Sequence, residues 1–189
     1  MNISFKIETI SYIVAEFKSN KINIKIGHSG LYEDKFQELL NVFYNIYIAL
    51  KGETSIYFPF VSEIVWKDDF VHYKWTVSMD SLESNINIKI TELYPANPEY
   101  HKILLDENFS KKQLYDDIYI SLHQLYNDFG FIGYKHNWDI GNFPIGEYLL
   151  LKSDKYNANL SLKLRLEDDQ WKNKVNKNDE LNTLSFEEE

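Results

Sequence analysis

Three stretches of this chain alternate apolar and polar residues strictly, and that period of two limits the fold more than anything else in the sequence. Ile22, Ile24 and Ile26 alternate with Asn23 and Lys25. Val71, Tyr73, Trp75, Val77 and Met79 alternate with His72, Lys74, Thr76 and Ser78. Ile86, Ile88 and Ile90 alternate with Asn87 and Lys89. Successive side chains of a strand point to opposite faces, so each run predicts a strand with one buried and one wet face, the pattern of an antiparallel sheet. Ile3, Phe5 and Ile7 alternate in the same way. Residues 12–18, the polar Ser19-Asn20 and the first isoleucine run together predict a hairpin. Gly27-His28-Ser29-Gly30 reads as a loop, because two glycines three apart punctuate the pattern. Residues 56–66 predict a further strand, at an edge or interrupted, since Pro59 has no N–H to give to a ladder.

Two segments switch to helical spacing. Over 32–50, Phe36, Leu39, Leu40, Phe43, Ile46, Tyr47 and Leu50 form one stripe; Glu33 and Asp34 suit its positive end, and Lys51-Gly52 suits its stop. Over 111–129 the stripe is Leu114, Ile118, Leu122, Leu125 and Phe129. Ser110 with Gln113 has the form of a capping box, and Gly130 stands where a C-cap belongs. Residues 99–106 and 148–151 read equally as helix or strand, and 131–146 reads as an ordered loop. Leu160, Leu162, Leu164 and Leu166 alternate with polar residues and predict a last strand. The fold class expected is α+β: a mostly antiparallel sheet of about six to eight strands with two main amphipathic helices. One domain is expected over 1–166, followed by a flexible polar acidic tail, 167–189. Ile22-Asn23-Ile24-Lys25-Ile26 recurs as Ile86-Asn87-Ile88-Lys89-Ile90. This is the echo a duplicated strand–strand–strand–helix unit would leave, and also one that a chain overusing Ile, Asn and Lys produces by itself.

Composition excludes several functions. With no cysteine, disulfides, thiolate catalysis and Cys-based zinc sites are ruled out. The net charge of −9 opposes binding to phosphate backbones or anionic membranes, which need clustered Lys and Arg. Residues 167–189 hold eight acids and three lysines, which leaves −4 for the body. No apolar run reaches the roughly 18–20 residues of a membrane helix, and the N-terminus lacks a signal peptide's apolar stretch, so a cytoplasmic location is expected.

No catalytic or metal-binding motif occurs. The five histidines include no His-Glu-x-x-His pair, and the glycines form neither a phosphate loop nor a nucleophile elbow. Asp68-Asp69, Asp116-Asp117 and Asp168-Asp169 read as solvated acid pairs on turns or helix surfaces. His136-Asn137-Trp138-Asp139 is the most suggestive cluster, because loops carry function disproportionately. The binding surface expected is Tyr134, His136, Trp138 and Asp139, together with His72 and Lys74 from the polar face of the second alternating run. An enzyme would have to draw on His136, Asp139 and Glu147. No cofactor is expected. The surplus of tyrosines (14) instead suits a protein-binding surface, where Tyr and Trp act as rigid anchors.

The layout resembles that of small acidic immunity proteins from bacterial polymorphic toxin systems and of neighbouring bacterial families. It comprises N-terminal strands, a helix, a meander around Trp75, a second helix, then Gly130-Phe131-Ile132-Gly133-Tyr134 and Phe143-Pro144, within residues 1–166. The resemblance implies a non-enzymatic protein that neutralises a basic toxin or effector by direct binding. It transfers no site to particular residues. The alternatives are a phage or mobile-element antagonist that mimics nucleic acid, and a structural subunit of a bacterial complex. In each case the expected partner is a protein, not nucleic acid or membrane.

Overall fold

The alternating runs become strands of antiparallel sheets, and the chain is an α+β protein. The computed structural model describes residues 1–20, 22–31, 33–156, 158, 163–167, 170–174 and 177–185, with the backbone alone for 163–167 and 170–174. Strands β1 (Asn2–Thr9), β2 (Tyr12–Lys18) and β3 (Asn23–Ser29) form one sheet in that order. Helix α1 (Lys35–Leu50) follows. Strands β4 (Phe60–Lys67), β5 (His72–Met79), β6 (Ile86–Leu93) and β7 (His101–Phe109) form a four-stranded meander, and α2 (Lys111–Asn137) comes next. These elements lie in a first compact unit, Met1–Phe143. A second unit, Pro144–Glu189, holds α3 (Ile145–Lys155), a β8 (Lys163–Glu167) and β9 (Gln170–Lys174) hairpin, and α4 (Lys177–Ser185).

Aromatic side chains make up much of the first unit's core. Phe5 of β1 packs on Phe36 of α1 (5.1 Å between centroids) and on Trp66 of β4 (6.4 Å). Trp66 packs on Trp75 of β5 (4.9 Å), and Trp75 on Phe17 of β2 (5.5 Å), so the chain of rings joins the two sheets. These rings are buried, each worth a few kcal/mol of apolar transfer. The alternation explains which residues take part. Ile86, Ile88 and Ile90 are buried, while Asn87 and Lys89 between them stay half exposed.

Helix α2 closes the outer edge of β1. The Ile3 N–H donates to Asp117 Oδ2 at 3.0 Å, and the Phe5 N–H donates to Ser121 Oγ at 3.3 Å. Asp117 is 5% exposed, so the reading of Asp116-Asp117 as a solvated pair is corrected for one member: Asp116 pairs with Lys112 on the surface and Asp117 is buried. Burial holds the Asp117 carboxyl above its ordinary range, against the pull of its two donors, Ile3 N–H and Gln113 Nε2. The capping box is half formed for the same reason. Ser110 Oγ accepts the Gln113 N–H (3.3 Å), but the Gln113 side chain goes to Asp117.

Other expectations shift. Helix α1 starts at Lys35, because Asp34 caps it by accepting the Gln37 N–H at 3.0 Å. Strand β4 starts at Phe60, after the cis Phe58–Pro59 bond, so the strand expected from residue 56 is shorter. Gly27-His28-Ser29 is not loop but the end of β3. Of residues 99–106, 101–106 resolve as strand within β7 while 99 and 100 precede it in a turn, and 148–151 resolve as helix within α3. The loop expected over 131–146 is helical to Asn137. Gly130, with φ 60° and ψ −177°, makes a kink rather than an end, in a region of φ that disfavours side chains. The repeat fails in detail: β3 is the last strand before α1, whereas β6 is followed by β7 before α2. Leu160 and Leu162 fall outside the described residues. Within 167–189, expected to be a flexible polar acidic tail, the described residues include β9 and α4.

Asp117→Ala leaves the buried Ile3 N–H without an acceptor and is expected to lower unfolding free energy by about 1–3 kcal/mol. Asp117→Asn retains an acceptor and should lose less than half of that. Urea unfolding of the two variants beside the parent measures both.

Candidate functional site

Four loops of the first unit are knitted together where β1, β3 and β4 end. In the Ile10-Ser11 turn between β1 and β2, Ser11 adopts φ 58°, unusual for a residue with a side chain and worth about 1 kcal/mol of strain. That conformation aims its backbone two ways: the Ser11 N–H donates to Asn137 O, and Ser11 O accepts the Gly30 N–H, both at 2.7 Å. Its hydroxyl donates to Asp139 Oδ1 at 2.7 Å. The Tyr12 hydroxyl donates to Asp68 Oδ2 at 3.0 Å, fastening the β4–β5 turn to the same end; burial, then Asp68, raise its pKa.

Trp138 anchors the 137–141 loop. It is fully buried, and its Nε1–H donates to Asp34 Oδ1 at 3.1 Å, so one carboxylate serves both this indole and the cap of α1. Asp34 lies so close to Gly141 that any Cβ there would collide with its Oδ2. Tyr134 is buried and packs edge-on against Phe143 (5.4 Å); burial, with Asp34 nearby, raises its pKa well above the ordinary tyrosine value.

His28 joins three of these segments from inside. It is fully buried between Trp66 (5.6 Å) and Trp138 (5.9 Å). Nε2–H donates to Glu33 O at 2.8 Å, which leaves Nδ1 to accept the Lys67 N–H at 3.2 Å. That tautomer is assigned from the partners. Burial lowers the His28 pKa, opposed by the neighbouring carbonyls and Asp34 and reinforced by Lys35.

The outward side of these loops is apolar where turns are ordinarily polar. Ile10 is 71% exposed, Leu31 80% and Phe70 87%, and Ile140 stands exposed beside Gly30. The carboxylates of Asp69 and Asp139 occupy the same loops, and Asp69 has no ion-pair partner among the described residues.

The expected site residues separate under this geometry. Tyr134 and Trp138, expected on the binding surface, are buried and pack the loop from within. His136 and Asp139 are exposed, and Asp139 is held by Ser11. His72 and Lys74 stand on the open face of the meander, where Lys74 pairs with Glu63 at 3.1 Å. His72 is the register partner of Lys67, whose N–H meets His28. Glu147 belongs to the second unit. Sequence reasoning missed Ser11, His28, Asp34 and the apolar loop tips. The available signal was the placement of Ile10, Leu31 and Phe70 in turns among Thr9, Ser11, Gly30 and Asp69. A shallow polar depression of about 280 Å3, lined by Ser78, Asp80, Ser84, Asn87 and Asn108, lies at the far ends of β5 and β6 and gathers no second charged group.

Comparison with family models, with curated proteins and with solved structures returns no match. No described helix is long and apolar enough to cross a membrane.

The folded-state pKa of His28 lies below its unfolded value of 6.5, so its contribution to stability is complete above that pH and is lost as pH falls below it. Unfolding free energy should drop by at most about 1.4 kcal/mol per pH unit in that window. His28→Gln, which can still donate and accept, should flatten the slope in urea midpoints measured from about pH 7.5 to 5.5.

Proposed function

We propose that this chain is a non-enzymatic, protein-binding inhibitor of the immunity type, neutralising a basic toxin or effector by direct binding at the loop end of the first unit. The observation that carries the reading is the set of exposed apolar side chains, Ile10, Leu31 and Phe70, held on loops that hydrogen bonds have already fixed in place. Exposed apolar groups supply the anchors of an interface, and a preorganised loop loses little entropy when it docks. Asp69 and Asp139 on the same loops, within a chain of net charge −9, would steer a basic partner toward those anchors. A nucleic-acid mimic draws less support. It needs a bare row of carboxylates, whereas Glu16 lies between Lys6 and Lys18, Glu33 and Glu38 share Lys35, and Glu63 meets Lys74.

The test is affinity capture of the tagged chain from its native lysate under nuclease, followed by the same capture with Phe70→Asp and Leu31→Asp. One stoichiometric basic protein is expected, with affinity reduced by more than about tenfold in each variant. A partner retained equally by both variants would place the interface elsewhere and end this reading. Association with the captured partner should also slow as salt rises; a rate indifferent to salt removes the steering role of the acidic loops.

A further inference from the structure

The edge of the four-stranded sheet carries a second surface, independent of the loop end. Strand β7 is the last in the order β4-β5-β6-β7, and no described strand lies along its other side. Its sequence runs His101-Lys102-Ile103-Leu104-Leu105-Asp106-Glu107, basic at one end, apolar in the middle and acidic at the other. His101, Lys102, Asp106 and Glu107 are exposed, and neither Lys102 nor Glu107 is in an ion pair among the described residues. Glu107, the register partner of the core residue Ile88, is also exposed, although Leu105 and Phe109 on either side of it on that face are buried.

A bulge decides how these charges are displayed. Ile90 pairs with Leu105 and Thr91 with Ile103, so Leu104 is an extra residue. Lys102 pairs with Glu92 and Glu107 with Ile88, four residues apart on one strand and therefore on the same face. Without the extra residue, Lys102 and Glu107, five apart, would point to opposite faces. Charges on an edge commonly keep strands apart. Here they are segregated by sign: a parallel copy would set like charges together, while an antiparallel copy sets basic against acidic.

We propose that β7 pairs antiparallel with β7 of a second copy of this chain about a twofold axis beside Leu104, so that Lys102 of each copy lies opposite Glu107 of the other. The same register sets His101 opposite Asn108 and diagonal to Asp106 on the open face, and joins two four-stranded sheets into one. The occupant is a second copy because the strand is its own electrostatic complement when reversed, and the interface is self-complementary as a twofold contact requires.

Sedimentation equilibrium of the full chain tests this with Lys102→Glu, Glu107→Lys and an equimolar mixture of the two. The parent should show a concentration-dependent dimer. Each single variant faces like charge at both symmetric contacts and should weaken self-association by about tenfold or more. The mixture restores opposite charge at both contacts and should recover a one-to-one heterodimer, and the double variant should again self-associate. Both side chains are exposed, so the variants are expected to fold, and recovery in the mixture separates a lost contact from a lost fold. A parent that stays monomeric, a dimer indifferent to both substitutions, or a mixture of folded variants that does not associate would overturn the proposal.

Discussion

The outer edge of β1 would present a row of unpaired N–H groups if α2 did not lie along it. Residues 3 and 5 point their N–H groups the same way, about 6.6 Å apart along a strand. Residues 117 and 121 stand one turn apart on a helix, a rise of about 6 Å. The two spacings nearly match, so a helix running in the same direction as β1 can set Asp117 under Ile3 and Ser121 under Phe5. Once α2 is held there, its kinked continuation past Gly130 brings Asn137, Trp138 and Asp139 to the β1–β2 turn. The position of the loop end thus follows from the capping of a sheet edge one strand-length away.

The same element shows why an aromatic-rich chain need not be a sticky one. Trp66, Trp75, Trp138, Tyr119 and Tyr134 are all buried, several of them in ring-to-ring contact. The large apolar side chains at the loop end are the small set left outside: Ile10, Leu31, Phe70 and Ile140. They sit on loops that hydrogen bonds of Ser11, Gly30, Asp34 and His28 tie to one another. Trp138, a member of the most suggestive cluster in the sequence, belongs to the packing behind these loops, as does His28.

The sheet edges are handled in two different ways. At β1 the free N–H groups are taken up by side chains of α2. At β7 no described strand lies along the outer side, and the strand itself carries charge and a bulge. Charge on an edge excludes only partners whose own charge pattern clashes with it.

Periodicity determined most of the secondary structure. Alternation placed β1, β2, β5 and β6 and the buried set Ile86, Ile88 and Ile90, and helical spacing placed α1 and the first part of α2, because one face of each element is buried and the other wet. Local chemistry also identified the cap at Ser110, whereas Asp34, read only as an acid suited to the positive end of α1, is the cap itself. What the sequence could not convey depends on contacts between residues far apart in the chain. Nothing near Asp117 marks it as the acceptor for Ile3, 114 residues away. Nothing near His28 shows that Glu33 and Lys67 will enclose it, and nothing near Trp138 shows that Asp34 will hold its indole. Burial and hydrogen-bond partners of polar side chains are properties of the assembled fold. For that reason the tertiary structure alone decided which members of the His136-Asn137-Trp138-Asp139 cluster face solvent, and which hold the loop in place.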